Sequence, residues 1–261
     1  MKNKIAIILT TLERPELLKK CLESIVANWR EDWVLLIGNQ DDYESESYKI
    51  IADIIAKNPD KIIKQYDLDY NCGISVARNY LIDKANLLEC EYVLLTADSI
   101  MFNGTMQRID FITSEMRWRN IGLVGLNLIG RIGWEGWITL NHDKSFLIDF
   151  IDPKEKDTKI LVDCSICRNF WIATTKSLIK VPYDNELIMC EHEDFFYRYN
   201  EAGCTVACTN LVNGVYEKSQ NTPEYDRIRQ TNFNLGRQRL LNKYSLKKWI
   251  EYIHLERIQQ P

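Results

Sequence analysis

The chain has 261 residues, 46% hydrophobic and 11% aromatic, with a formal net charge of −4. That suits one large α/β domain, or a domain with an appendage, of ordinary globular composition. The slightly acidic balance argues against broad affinity for nucleic acid, and no apolar run is long enough to cross a bilayer.

Lys4 to Thr10 reads as a buried strand. It lacks the pattern of an N-terminal signal, so a cytoplasmic protein is expected. Pro15 then opens a helix whose Leu17, Leu18, Cys21, Leu22 and Ile25 recur at helical spacing. Trp33 to Gly38 is a second strand, Asn39-Gln40-Asp41-Asp42 a polar turn, and Ser45 to Lys57 a second helix. Ile62 to Tyr66 is a third strand. After the turn Asn71-Cys72-Gly73, Ile74 to Ala85 is helical, and Tyr92 to Thr96 is a fourth strand running into Asp98. This alternation predicts a largely parallel sheet with helices on both faces and ligands beyond the carboxyl ends of the strands.

A helix to about Arg119 and a strand from Ile121 to Ile129 follow. Gly130 to Trp137 reads as a loop presenting Trp134 and Trp137, which suit a ligand platform or a core equally well. Trp137 to Leu140 and Ser145 to Phe150 form a hairpin. Lys159 to Val162 and Asn169 to Thr174 read as strands, and Lys176 to Ile179 as a turn of helix. Eight cysteines are expected as reduced thiols. Cys164-x2-Cys167 with Cys204-x3-Cys208 lacks the paired knuckles of better zinc motifs.

Glu191-His192-Glu193-Asp194 precedes Phe195, Phe196 and Tyr199 at helical spacing, and Gly203 marks a C-cap, so the acids stand at a helix N-terminus. Helix starts favour negative charge, and an ionised carboxylate there suits a general base as readily as a cap. Cys204 to Cys208 is a strand. From Pro223 the chain is polar, helical and basic, with Arg227, Arg229, Arg237, Arg239, Lys243, Lys247 and Lys248. A solvated helix, an anionic membrane surface and nucleic acid all fit that segment.

Four stretches together resemble the nucleotide-sugar glycosyltransferases of the GT-A fold, near the family 2-like inverting enzymes: Ile5 to Pro15, Asn71 to Asn79, Tyr92 to Ser99 and Glu191 to Gly203. Asn169-Phe170-Trp171 followed by His192-Glu193-Asp194-Phe195-Phe196 is more narrowly similar to their galactosyl- and N-acetylgalactosaminyltransferase-like members. The resemblance implies a GT-A, Rossmann-like mixed sheet over residues 1–220, with a nucleotide-binding half (1–102) and an acceptor half (103–220), and a basic helical extension over 221–261. It implies donor contacts, with a UDP-sugar favoured, at Thr10, Thr11, Arg14, Gln40, Asp41, Gly73, Arg78 and Asp98. Asp194 would be the catalytic base, Glu193 would orient the acceptor, and His192, Trp134 and Trp137 would line its pocket. The family's metal-binding Asp-x-Asp reads Ala97-Asp98-Ser99 here. A Mn or Mg ion would therefore rest mainly on Asp98, or cationic side chains among Arg14, Arg78, Lys218 and Arg227 would replace it. Transfer to a glycan, lipid-linked glycan or protein hydroxyl is the first expectation. A modified DNA base as acceptor, or a silent nucleotide-sugar-binding module, are the alternatives.

Overall fold

The structure is a computed structural model and describes residues 4–131, 134–218 and 222–255. Part of the tryptophan-bearing loop (132–133) and the end of the basic segment (256–261) lie outside the described residues.

The first half alternates as the apolar pattern requires: β1 (Ile5–Thr11), α1 (Pro15–Ala27), β2 (Trp33–Asn39), α2 (Glu46–Lys57), β3 (Ile63–Asp67), α3 (Ile74–Leu87) and β4 (Tyr92–Ala97). Pro15 occupies the first turn of α1, where its missing N–H costs nothing, and the Ser45 hydroxyl caps α2 by accepting from the Tyr48 N–H. β1 pairs in parallel with β2 and β4, and β2 with β3. The ends of β1, β2 and β4 therefore open on one edge, where open α/β sheets bind ligands.

The second half contains β5 (Ile100–Phe102), a 3-10 turn (Gly104–Arg108), α4 (Ile109–Arg119), β6 (Leu123–Ile129), β7 (Gly136–Leu140), β8 (Phe146–Phe150), α5 (Pro153–Thr158) and β9 (Val162–Cys164). It continues through β10 (Trp171–Thr174), α6 (Thr175–Lys180), α7 (Glu191–Glu201), β11 (Val206–Tyr216), α8 (Pro223–Tyr244) and β12 (Ile250–Ile253). The large sheet runs β3-β2-β1-β4-β10-β6-β11-β5, with β9 also on β11. β10 lies antiparallel between β4 and β6, Trp171 opposite Leu95. Asn169, two residues earlier, thus lies against the Ala97–Asp98 end of β4. One core cluster joins α1 and α4 to one face of the sheet; the other joins α3, α7, the small sheet and α8 to the opposite face.

Three expectations are corrected. The strand placed at Lys159 to Val162 lies at Val162–Cys164, because Asp152 caps and Pro153 starts α5 just before it. The strand read as Cys204 to Cys208 continues to Tyr216. The basic segment is not helical throughout: α8 stops at Ser245 in a left-handed turn (φ 51°), and β12 pairs in parallel with β8 to extend the β7–β8 hairpin into a three-stranded sheet. Aromatic and β-branched Trp249, Ile250, Tyr252 and Ile253 suit that pairing.

Candidate active site

The residues expected to contact a donor gather at the predicted edge. Arg14 Nη2 lies 2.9 Å from Asp98 Oδ1, and the Thr11 hydroxyl is 3.5 Å from Asp98 Oδ2. Thr10 and Thr11 end β1 opposite Gly38 and Asn39 of β2, and Thr10 also stands opposite Ala97 of β4. Asp41 Oδ1 accepts from the Glu13 N–H at 2.6 Å, and Gln40 Oε1 from the Gly73 N–H at 3.3 Å. Gly73 has φ +95°, and a side chain there would press on Ile188. Burial pushes the Asp98 carboxyl up to about 6 although Arg14 opposes this. Around this edge Asp41 Oδ2, Asn39 Nδ2 and Arg14 Nε are buried without a protein partner. Buried polar atoms are ordinarily satisfied, so these three have hydrogen-bonding capacity to spare.

As a metal site the cluster is incomplete. Asp98 brings one carboxylate, already paired with Arg14, and no three His, Cys, Asp or Glu side chains converge among the described residues. Divalent ions of the Mn and Mg kind need several hard oxygens, which the residues present do not supply. Of the other cations considered in place of a metal, Arg78 is held by Glu191, Arg227 pairs with Glu224 on the surface, and Lys218 is exposed.

α7 brings four polar side chains to the same edge, and its helical turn sends each a different way. Glu191 pairs with Arg78 at 2.6 Å, both nearly buried, and the Asn169 amide approaches it at 3.4 Å. Arg78, expected at the donor, thus ties α3 to α7. His192 Nδ1 is 2.9 Å from Asn169 Oδ1, while its Nε2 is buried without a partner. Burial, with Arg78 and Arg131 nearby, pushes the imidazole down to about 3, so it is neutral.

Asp194, expected as the base, is engaged on both of its oxygens. It is wholly buried; Arg198 donates to Oδ2 at 2.8 Å, and the Tyr244 hydroxyl and Lys243 reach Oδ1 at 2.8 and 2.7 Å. A carboxylate occupied on both oxygens holds α8 against α7. Glu193 is the reverse case. It is 6% exposed, and burial, then repulsion by Glu191 and Asp194, pushes its carboxyl up to about 8. Its charge acts on Tyr252, whose ring meets Trp134 edge-on at 5.5 Å. Trp134 thus stands on the Glu193 side. Trp137 does not: strand alternation turns it outward, toward a cavity of about 340 Å³ lined by Arg119, Asp163 and Val206 at the opposite edge of the sheet.

α8 crosses the whole edge, which the sequence did not reveal. Arg14 Nη1 donates to the Tyr225 hydroxyl at 3.2 Å, Asn232 donates to Asn71 at 2.8 Å, and Gly236 lies directly on the Met189 backbone. Cys164, Cys167 and Cys208 are buried thiols, and burial pushes the first two well above their ordinary range.

No protein-family model matches the chain. Over 82 residues it is 37% identical to a teichoic acid poly(glycerol phosphate) polymerase of Staphylococcus epidermidis, a stretch covering 31% of this chain and 11% of that protein. Among solved structures, S. aureus TarS 1-349 matches with a TM-score of 0.57 at 12% identity, over 92% of this chain and 66% of that one. The mannosyltransferase PcManGT from Pyrobaculum calidifontis, in complex with GDP-Man and Mn2+, matches at 0.63 and 10%, over 92% and 64%. GalNAc-T7 with UDP, GalNAc and Mn2+ matches at 0.62 and 13%, over 87% and 47%. The chain spans about a tenth of the curated relative and two thirds or less of these structures. The architecture they share with it is the GT-A fold.

Proposed function

We propose that the chain is an inverting glycosyltransferase that moves a sugar from a nucleotide-diphosphate sugar to a hydroxyl acceptor. The observation that carries this reading is the meeting, at one sheet edge, of the Arg14–Asp98 pair with a buried, high-pKa carboxylate at the start of α7. That edge belongs to a fold shared with proteins whose structures hold UDP or GDP-Man.

The nucleotide would lie over Thr10, Thr11, Gln40, Asp41 and Gly73. Asp41 Oδ2 and Asn39 Nδ2, an acceptor and a donor without partners, complement the N–H and C=O groups of uracil, which favours a UDP-sugar. Arg14 would leave part of its contact with Asp98 to face the leaving diphosphate, which a planar guanidinium matches with paired donors. His192, neutral, would offer its free Nε2 to a sugar hydroxyl.

Glu193, not Asp194, takes the part of the base in this proposal. As a carboxylate it removes the acceptor's proton while the acceptor oxygen bonds to the anomeric carbon. The bond from that carbon to the diphosphate oxygen breaks on the opposite face, and the electrons leave with the nucleoside diphosphate. A base titrating near 8 has the proton affinity that hydroxyl activation near neutral pH requires, and such a group contributes about 10²–10⁴-fold. Trp134 and Tyr252 would wall the acceptor side. The acceptor class is that of a glycan, lipid-linked glycan or protein hydroxyl. The single carboxylate at Ala97-Asp98-Ser99 favours, as a second reading, a silent nucleotide-sugar-binding module.

Nucleotide release from a panel of UDP- and GDP-sugars, with and without Mn2+, separates the two. Release from at least one donor is expected. Binding without release would establish the silent module, and neither binding nor release would remove both readings.

A further inference from the structure

Around the edge where β1 and β4 end, one cation after another is occupied by a carboxylate. Arg14 pairs with Asp98, Arg78 with Glu191, Arg168 with Glu135, and Arg198 and Lys243 with Asp194. Arg131 differs. It is exposed, and no carboxylate pairs with it among the described residues. It also lies outside the motifs that suggested Arg14, Arg78, Lys218 and Arg227 as cations in place of a metal.

Topology carries Arg131 to this same edge. β10 is antiparallel to both β4 and β6, so β4 and β6 run the same way and end on the same side. β11 runs parallel with β6, shifts register between Cys208 and Asn213, and ends paired with β5. β5 begins two residues after Asp98: Tyr216 stands opposite Ile100, and the Glu217 N–H donates to the Ser99 carbonyl at 2.9 Å. Tyr216 thus lies beside the end of β4, and it acts electrostatically on Arg14. The Arg131 guanidinium is 5.0 Å from the centre of that Tyr216 ring, and its charge also acts on His192 of α7. Arg131 therefore belongs to the stretch of the edge between the Arg14–Asp98 pair and α7. Its main chain is fixed there. Gly130 turns with φ +85° against the Tyr216 carbonyl, and buried Arg168 donates to the Leu128 and Arg131 carbonyls at 3.1 and 3.4 Å. A held backbone carrying a guanidinium without an acid is a preorganised anion contact.

We propose that Arg131 and Arg14 together hold the diphosphate of the donor in place of a divalent ion, Arg14 from the β1 side and Arg131 from the β6 side. The inference rests on the nucleotide-sugar reading and names the group that binds its phosphates. The anion that such a donor brings to this stretch is its diphosphate, and a guanidinium meets phosphate oxygens with paired, planar donors. Two guanidiniums match the charge of one divalent ion without needing the oxygen cluster that such an ion requires and that is missing among the described residues. Arg131, on the α7 side, takes the phosphate nearer the sugar. Negative charge grows on that phosphate as the anomeric bond breaks, so a fixed cation there favours departure.

The test is calorimetric titration of UDP and of uridine into the whole chain in EDTA. The wild type is expected to bind UDP at least about tenfold more tightly than uridine. R131Q is expected to lose about tenfold or more in UDP affinity while uridine stays within about twofold. R131K, which keeps the charge but not the planar fork, is expected to fall between the two. Because Arg131 is exposed, R131Q should melt within about 2 °C of wild type, which separates lost contact from lost fold. R117Q, on the exposed side of α4, is expected to change UDP affinity less than about twofold. An unchanged UDP affinity in R131Q, equal losses for UDP and uridine, or wild-type UDP binding that appears only with added Mn2+ would each overturn the proposal. These outcomes leave the nucleotide-sugar reading standing, whereas a wild type that binds neither UDP nor uridine, with or without Mn2+, would defeat that reading and this inference together. Nucleotide release from donor sugars reads the enzyme activity separately, and UDP binding of the expected pattern without release defeats only the enzyme reading.

Discussion

Replacing Glu193 by Gln removes a titration that the fold resists. The carboxyl sits at about 8 in the folded protein, against 4.5 for the free side chain. The folded state therefore binds more protons than the unfolded chain between these values. Its contribution is fully present below about pH 4.5, declines as pH rises toward 8 and is lost above that. A difference of 8 − 4.5 = 3.5 units, at about 1.36 kcal/mol each, sets a ceiling of about 5 kcal/mol. A realistic effective dielectric reduces this to about 2 kcal/mol. For a chain of this size that is about 4–8 °C in melting temperature. Calorimetry at pH 5 and pH 8.5 reads it directly. The expected result is near-equal melting at pH 5 and a Glu193→Gln midpoint about 4–8 °C above wild type at pH 8.5. A midpoint at or below wild type at pH 8.5 would refute the burial argument. In the same variant transfer is expected to fall by about 10²–10⁴-fold.

Asp194→Asn leaves Arg198, Lys243 and Tyr244 around a neutral amide, at a cost of about 3 kcal/mol. Limited proteolysis should then cut α8 faster while UDP still binds, and unchanged protection of α8 would contradict the clamp. Gly236→Ala drives a methyl group into the Met189 backbone, so α8 should lift and the melting temperature fall; a wild-type midpoint would show the contact to be loose. Arg14→Met removes the cation from Asp98 and should weaken UDP binding by about tenfold or more in titration calorimetry. Because Arg14 pairs with that carboxylate and no three His, Cys, Asp or Glu side chains converge among the described residues, EDTA should leave wild-type nucleotide release within about twofold. A complete loss in EDTA would return the role to a Mn or Mg ion.

The first half was legible in the sequence because β1, β2 and β4 are buried on both faces and read as unbroken apolar runs, while Pro15, Ser45 and Gly73 punctuate them. Asp98, Thr11 and Arg14 were found because strand ends in such a sheet converge by topology. The acceptor side was less legible. Asp194 and Glu193 are adjacent in sequence, and only the three-dimensional path of α8 decides which of them is occupied. The Arg198 contact, four residues along one helix face, was a usable local signal. Tyr225 on Arg14 and Tyr244 on Asp194 had none, separated by 211 and 50 residues. The face that Trp137 takes was not legible because one residue of register in β7 decides it. β12 was missed because four residues pairing with β8 leave no periodicity long enough to outweigh the helix before them.

The central claim is that a buried carboxylate at the start of α7 directs attack on the face of the sugar opposite the nucleotide. Proton NMR of the hexose released from a UDP-α-hexose, recorded in the first minutes before the anomers interconvert, tests it most directly, because water then serves as the acceptor. The account predicts the β-anomer as the initial product, and its loss in Glu193→Gln. The α-anomer as the initial product, or undiminished release by that variant, would contradict it.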